Sequence, residues 1–335
     1  MTILRRARYL SEFAGLFLAR ALIRALPMPI SLWLSARVGD LTWLFMPKRR
    51  QIAIDNILQA HVADSHRDAA KIARASFHHF AAFAVEAILA ETRMREDNWH
   101  TIVDMSEAQE LLELARQPGL GFILMSAHFG NWEVPGQVLS YYKPMVAVAR
   151  RMNNPYTDRL VQSRKLGHQF RTIPKQEITG TMLANIIKQG NILAMLIDQH
   201  ARYRGMIVPF FGRPASHHTA AALLHLRFGT PLRLACCVRL GPLRYKLITR
   251  PVVRPEGPRD SAAIAAILHI VNGHLESFIR AHPEQYLWSH RRWRPESTHR
   301  SRPAPPEAQS VSPSVSESES TPISTPTPSP KLPHS

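Results

Sequence analysis

Several features that would narrow a function at once are missing from the sequence. It has only two cysteines, Cys236 and Cys237. Because they are adjacent in an apolar run, they exclude a disulfide framework and a cysteine-rich zinc site, and they favour a reducing compartment. The G-x-S-x-G turn of serine hydrolases, the H-E-x-x-H pair of zinc proteases and the P-loop are also absent. The sequence therefore indicates neither a metalloenzyme nor a nucleotide-binding enzyme of these types.

Acidic residues are scarce as well. The 335 residues include 42 Lys and Arg against 25 Asp and Glu, which leaves a formal net charge of +17. This excess suggests nucleic acid, an anionic membrane surface, or an acidic substrate or carrier protein as the partner. The basic clusters Lys48–Arg50 and His290–Arg294 are not accompanied by a nucleic-acid-binding motif. We therefore do not expect nucleic acid to be the partner.

The last 35 residues, 301–335, differ in composition from the rest. They hold 9 of the 26 prolines and 10 serines, with two basic residues against three acidic ones. Such a segment cannot bury enough apolar surface to offset the entropy of ordering. We expect a disordered tail, and the basic excess must lie in residues 1–300.

Residues 1–50 combine basic charge with apolar runs, at Phe13–Ala19 and Ile30–Met46. The stretch Tyr9–Leu26 is almost long enough to span a membrane, although three charged residues interrupt it. A transmembrane anchor, an amphipathic helix lying in the membrane plane and a basic helical hairpin packed on the domain all remain open. The positive charge favours a location on the cytoplasmic side.

Residues 51–300 read as an α/β domain. Apolar runs predict the following strands: Leu120–Ala127, Met145–Arg150, Asn191–Ile197, Leu232–Val238 and Arg244–Arg250. Helical patterns cover the following stretches: Ser65–Thr92, Tyr156–Gly167, Gln176–Lys188, Thr219–Phe228 and Ser261–Ala281. The alternation predicts a mostly parallel central sheet flanked by helices, with the last two strands antiparallel.

One histidine motif stands where catalytic groups collect in such sheets. The strand Leu120–Ala127 runs directly into His128, and Glu133 follows five residues later. Gly130 between them permits a sharp turn. Because the two side chains would not share a helix face, they can converge only if His128 lies in the loop and Glu133 in the first helical turn. Glu133 would then hold one imidazole nitrogen and leave the other as a base.

Four separated blocks resemble the late acyltransferases of lipid A biosynthesis, within the wider lysophospholipid acyltransferases. The blocks are: His128–Glu133 (HFGNWE), Arg150 with Asn154, Pro155 and Asp158, Asp198–Gln199 with Pro209–Ala215 (PFFGRPA), and Pro283–Trp288 with His290–Trp293. The sequence departs from this pattern at His200, at Ser216–Ala220 and in the tail. We expect the first two departures to border a substrate pocket.

The resemblance implies a glycerolipid-acyltransferase-like fold and transfer of an acyl chain from a thioester to a hydroxyl. His128 would be the general base, oriented by Glu133, and backbone N–H groups at Gly130–Trp132 would stabilise the oxyanion. Substrate-binding roles are implied for the following residues: Asn131, Arg150, Asp198, Gln199, Phe211, Gly212 and Arg213. No metal or other cofactor is implied.

The partners implied by the resemblance are acyl carrier protein or acyl-CoA as donor, an anionic glycolipid acceptor and the inner membrane, with the active site on the cytoplasmic side. The leading hypothesis is an O-acyltransferase that acts on a lipid A precursor. The alternatives are an acyltransferase for another glycolipid or a lysophospholipid, a catalytically silent membrane scaffold and a basic nucleic-acid binder.

Overall fold

The computed structural model of the chain describes residues 3–163, 169–201 and 205–293. Its strands are β1 (Val103–Glu107), β2 (Phe122–Ser126), β3 (Met145–Ala149), β4 (Phe170–Pro174), β5 (Ile192–Leu196), β6 (Met206–Phe210), β7 (Arg213–His217), β8 (Leu232–Gly241) and β9 (Arg244–Pro251). Seven of them form one sheet in the order β1-β9-β8-β2-β5-β3-β4. Neighbouring strands are parallel except β8 and β9, which are antiparallel. The predicted α/β class and the antiparallel last pair are confirmed.

Ten α-helices lie within the described residues. They are α1 (Ile3–Ala25), α2 (Met28–Phe45), α3 (Pro47–Gln59), α4 (His66–Arg93), α5 (Gln109–Arg116), α6 (Glu133–Leu139), α7 (Pro155–Gln162), α8 (Gly180–Lys188), α9 (Ala220–Phe228) and α10 (Ser261–Ala281). Residues 164–167 of the helix predicted to reach Gly167, and the predicted tail at 301–335, lie outside the described residues.

The sheet is covered on both faces, as its parallel strands require. All five residues of β2 are buried. Ile123 and Met125 lie in an apolar cluster with α8, α9 and α10, whereas Phe122 and Leu124 lie in a second cluster with α5 and α6. The long helix α4 contributes to both clusters. The continuous apolar character of β2 follows from this two-sided burial.

Three parts of the fold lie outside the strand predictions. Strand β4 (FRTIP) has no fully buried residue. Strand β1 (VDMSE) buries only Val103 and Met105, so its sequence carries little apolar signal. Strands β6 and β7 form a separate hairpin in which Pro209 pairs with Pro214. Proline has no N–H to donate to a neighbouring strand, so it is found only at the edges of sheets. For this reason a segment that contains proline is not readily predicted as a strand.

Helices α1 and α2 pack on the body of the protein. Arg20 and Arg24 of α1 both contact the carboxylate of Glu91 on α4, at 2.6 and 2.5 Å. At the other end of α1, Asn154 donates to the Tyr9 carbonyl at 2.8 Å. Within the described residues, the one helix long and apolar enough to cross a membrane is α10, and much of its apolar surface lies in the core.

Candidate active site

The carboxyl ends of two neighbouring strands bring His128 and Asp198 together. Strands β2 and β5 are parallel and in register, with Ser126 opposite Leu196. His128 and Asp198 each follow these paired residues by two positions. Their side chains therefore emerge side by side at the edge of the sheet where α/β enzymes place their reactive groups.

The two side chains form a hydrogen bond. His128 Nδ1 lies 2.9 Å from Asp198 Oδ1. The Asp198 side chain is 3% exposed, whereas that of His128 is 19% exposed. The carboxylate is thus buried, whereas one side of the imidazole ring is accessible to solvent. With Nδ1 donating its proton to Asp198, Nε2 is left as the basic nitrogen.

The charges of the pair stabilise each other. Burial disfavours the imidazolium, but the Asp198 carboxylate outweighs this and raises the pKa of His128 above its usual 6.5. Burial likewise disfavours the carboxylate, but His128 outweighs this and lowers the pKa of Asp198 below 3.8. Asp198 is therefore ionised at neutral pH and favours proton uptake by the ring.

Asp198, and not Glu133, is hydrogen-bonded to Nδ1, one of the two nitrogens that the sequence spacing offered to Glu133. The strand register explains this contact, and an orienting role for Glu133 stays a prediction. Glu133 is instead the first residue of α6, and its backbone N–H donates to Asn131 Oδ1 at 3.3 Å. A direct part for Glu133 in the reaction stays a prediction.

Tyr286 lies beside Asp198. This placement was not predicted from the sequence, although Tyr286 stands in the fourth sequence block. Burial and the Asp198 carboxylate raise the pKa of Tyr286 well above 10, so its hydroxyl stays protonated beside that carboxylate. The backbone around it also holds the histidine loop, since Leu287 N donates to the His128 carbonyl at 3.1 Å. Phe129 and Tyr286 form an antiparallel bridge.

The open side of His128 is bordered by an amide and an indole. The Gln199 amide nitrogen lies 3.4 Å from His128 Nε2. Trp132 meets the imidazole edge-on, with ring centroids 5.1 Å apart, and stacks on Phe83 at 4.0 Å. The ring is thereby fixed in orientation, and a polar donor stands beside its basic nitrogen.

Two backbone N–H groups of the loop after His128 are hydrogen-bonded to other segments of the chain. Gly130 N donates to the Gln285 carbonyl and Asn131 N donates to the Cys237 carbonyl, both at 2.9 Å. The expectation that these two groups stabilise an oxyanion is therefore wrong, because their N–H groups are already hydrogen-bonded. Trp132 N is the backbone donor that the oxyanion hypothesis retains, and the Gln199 amide beside Nε2 is a further candidate from the structure.

The remaining predicted substrate-binding residues occupy different surroundings. Arg150 is exposed just beyond β3, at the same sheet edge as His128, because β3 is the neighbour of β5. Asn131 is buried, and its amide nitrogen donates to the Tyr245 hydroxyl at 3.2 Å. Substrate binding by Arg150 and Asn131 stays a prediction.

The predicted residues Phe211, Gly212 and Arg213 lie at the turn of the β6–β7 hairpin. Phe211 and Gly212 have φ angles of +51° and +70°. The ring of Phe211 is buried against Trp288, with centroids 6.1 Å apart. Its backbone N–H donates to Glu276 on α10 at 2.7 Å. Phe211 thus packs the turn onto the body, while Gly212 and Arg213 are exposed, and substrate binding by all three stays a prediction.

Comparison with known proteins identifies the family of the chain. Residues 2–295 match the family described as "Bacterial lipid A biosynthesis acyltransferase". The chain is 25% identical over 277 residues to the lipid A biosynthesis palmitoleoyltransferase of Escherichia coli K12, which covers 80% of this chain and 86% of that protein. It is also 25% identical over 309 residues to the lipid A biosynthesis lauroyltransferase of the same organism, which covers 88% and 94%.

The protein is therefore an acyltransferase. The chain belongs to the bacterial lipid A biosynthesis acyltransferase family. The resemblance first drawn from four sequence blocks is thereby confirmed, and the enzyme acts in lipid A biosynthesis.

Proposed function

We propose that the protein transfers an acyl chain from acyl carrier protein to a hydroxyl of a lipid A precursor, with His128 as the general base. The observation that carries this proposal is the hydrogen bond between His128 Nδ1 and the buried Asp198, which leaves Nε2 on the open side. An alcohol has a pKa far above 7, so its oxygen becomes nucleophilic only if a base takes the proton during attack.

The reaction then balances without any further group. His128 Nε2 takes the hydroxyl proton as the alkoxide oxygen attacks the thioester carbonyl carbon. The tetrahedral oxyanion accepts hydrogen bonds from Gln199 and from Trp132 N. It collapses with cleavage of the C–S bond, and the leaving thiolate takes the proton from the imidazolium. Asp198 stabilises the imidazolium between these two transfers.

The charge of the chain suits anionic partners. Acyl carrier protein and phosphorylated glycolipids are acidic, and the protein carries a net charge of +17. Arg150 stands at the sheet edge of the His–Asp pair, where its planar guanidinium can bind a phosphate through two hydrogen bonds. Arg150 therefore contributes to holding an anionic substrate beside His128.

Helix α2 supports an association with the inner membrane. The residues it buries against the body are small: Ser31, Ser35 and Gly39. Leu32 and Trp43 are half-buried, but most of the other large apolar side chains are exposed: Ile30, Trp33, Leu34, Val38, Leu41, Leu44 and Phe45. On a water-soluble protein, the large apolar side chains of a helix face the protein and not the solvent. An exposed apolar face of this kind indicates contact with another apolar phase. We place this face in the cytoplasmic side of the inner membrane.

The central experiment is mass spectrometry of lipid A from a deletion strain complemented with the wild type, His128→Ala or Asp198→Asn. Wild type restores the missing acyl chain, His128→Ala does not, and Asp198→Asn restores little. Asp260→Asn is the matched control, because Asp260 caps α10 and asparagine caps equally well. Full restoration by His128→Ala would refute the catalytic assignment, and an altered phospholipid with unchanged lipid A would refute the acceptor.

The donor and the membrane contact are tested with purified protein. Acyl carrier protein thioester is expected to be used in preference to acyl-CoA, and the reverse preference would overturn the donor assignment. The variant Leu34→Glu/Leu41→Glu is expected to bind anionic vesicles at least about tenfold more weakly, since each leucine loses apolar burial. Leu223→Glu/Leu240→Glu, which changes leucines exposed elsewhere, is the control. Equal binding by both variants would refute membrane contact by α2.

A further inference from the structure

A buried carboxylate on α4 stands outside the chemistry described so far. Glu86 is fully buried, with a side-chain exposure of 0%, and it lies in the otherwise apolar stretch Ala81–Ala90. One of its oxygens, Oε1, accepts from Arg239 Nε at 2.9 Å and from Nη2 at 2.7 Å. The other, Oε2, accepts from the Tyr245 hydroxyl at 2.7 Å. A buried charge of this kind is costly unless all of its contacts are made.

One arm of this network leads through Tyr245 to the loop after His128. Burial and the Glu86 carboxylate raise the pKa of Tyr245, so the phenol stays protonated and donates a hydrogen bond to Glu86. The phenol oxygen then accepts from Asn131 Nδ2 at 3.2 Å. Asn131 Oδ1 in turn accepts from the backbone N–H of Glu133, where α6 begins.

The second arm leads through Arg239 to the same loop. The Arg239 backbone exchanges two hydrogen bonds with the side chain of Gln285, at 2.8 and 3.0 Å. The Gln285 carbonyl accepts from Gly130 N at 2.9 Å. The two arms therefore meet at neighbouring residues, Gly130 and Asn131, directly after the catalytic histidine.

The direction of every hydrogen bond in the first arm is set by the carboxylate. An ionised Glu86 can only accept, so the Tyr245 hydroxyl must point towards it. The phenol oxygen is then available only as an acceptor, which turns the NH₂ group of Asn131 towards Tyr245 and its oxygen towards α6. A glutamine at position 86 could donate, and the orientation of the whole chain would no longer be determined.

We propose that Glu86 is a positioning residue for acyl transfer: through Tyr245 and Arg239 it holds the loop Phe129–Trp132, and with it the His128 ring and the indole packed on that ring. The proposal rests on the function assigned to His128 above. It predicts an effect on the rate of the chemical step and not on substrate affinity, because Glu86 is buried away from solvent. A displacement of about 1 Å at a reacting group can lower a rate about a hundredfold.

The test compares Glu86→Gln with Glu91→Gln in purified enzyme. Glu91 is a matched control, because it lies on the same helix with a side-chain exposure of 2% and pairs with Arg20 and Arg24, away from the loop. Glu86→Gln is expected to lower kcat about ten- to a hundredfold and to leave KM within about twofold. Glu91→Gln is expected to keep both constants. Equal losses of kcat in the two variants, or a change in KM alone, would overturn the proposal.

Tyr245→Phe keeps the proposal testable if Glu86→Gln does not fold. It removes the hydroxyl between Glu86 and Asn131 but leaves the pair of Glu86 with Arg239, and kcat is expected to fall about tenfold at constant KM. In the double variant, Glu86→Gln should add little to the loss caused by Tyr245→Phe, and full additivity would contradict the relay. Wild-type kcat in Glu86→Gln, together with an inactive His128→Ala, would refute this proposal and leave the proposed function standing.

Discussion

Replacing Gly130 by alanine is the sharpest test of how the His128 loop is held. Gly130 has φ +56°, and an added Cβ would lie 1.8 Å from the Cys237 carbonyl oxygen. Real Cβ atoms essentially never approach closer than 3.0 Å, and the obstacle is backbone, which cannot rotate away. The loop must therefore move by about 1 Å or more, away from the Cys237 carbonyl of β8.

The cost has two sources. The left-handed conformation costs a residue with a Cβ about 1–2 kcal/mol. The displacement also breaks two buried backbone hydrogen bonds, from Gly130 N to Gln285 and from Asn131 N to Cys237. Each group left unsatisfied costs about 1–3 kcal/mol. Gly130→Ala is therefore expected to lower the free energy of unfolding by about 3 kcal/mol or more.

The matched control is Gly119→Ala. Gly119 has φ +72°, but a Cβ added there would meet nothing within 4 Å, so this variant carries the conformational cost alone. Thermal or denaturant unfolding in detergent measures both stabilities, and initial rates measure activity. Gly130→Ala should lose at least about a hundredfold in kcat, whereas Gly119→Ala should lose about 1–2 kcal/mol of stability and keep its rate. If the two variants matched in both measurements, the clamped loop would not matter for the reaction.

Three further predictions follow from contacts described above or from burial. Asp198→Asn removes the charge that raises the pKa of His128. The rising limb of kcat/KM against pH should therefore move to lower pH while its plateau falls about 10²- to 10⁴-fold, and an unmoved limb would contradict the pair. Burial raises the pKa of Cys236 and Cys237, so iodoacetamide at pH 8 should label unfolded but not folded protein; rapid labelling of folded protein would show that the thiols are accessible. Asn56 Nδ2 donates to two backbone carbonyls of the C-terminal segment, both at 2.7 Å, so Asn56→Ala should cost about 2 kcal/mol or more in denaturant unfolding, and a loss below about 0.5 kcal/mol would refute its bridging role.

Much of the fold was accessible from the sequence because buried parallel strands read as apolar runs. Strand β2 and the histidine that follows it were found in this way, as was the antiparallel pair β8–β9. The strands that sequence reading missed are those whose burial is partial or whose backbone lacks donors. Strand β1 has only two apolar residues, β4 has no fully buried residue, and the prolines of β6 and β7 contradict the usual pattern of a strand.

The partner of His128 could not be read from spacing along the chain. Glu133 is near in sequence, but Asp198 is near in space because β2 and β5 pair in register across some 70 residues. Predicting that contact requires the strand order, which no local pattern contains. Glu86 did leave a signal: a single acid in an apolar helical stretch has to be paired or costs stability. Its partners Arg239 and Tyr245 lie more than 150 positions away and could not be named.

The segment Gln285–Leu287 closes on the His128 loop from far along the chain, and this has a consequence for truncated forms. A chain that stopped at Ala281 would possess every strand of the sheet and every described α-helix. It would lack the carbonyl that receives Gly130 N, the phenol behind Asp198 and the amide that binds the His128 carbonyl. We therefore expect a premature stop in this short interval to yield a chain that has all these elements but cannot hold the His128 loop.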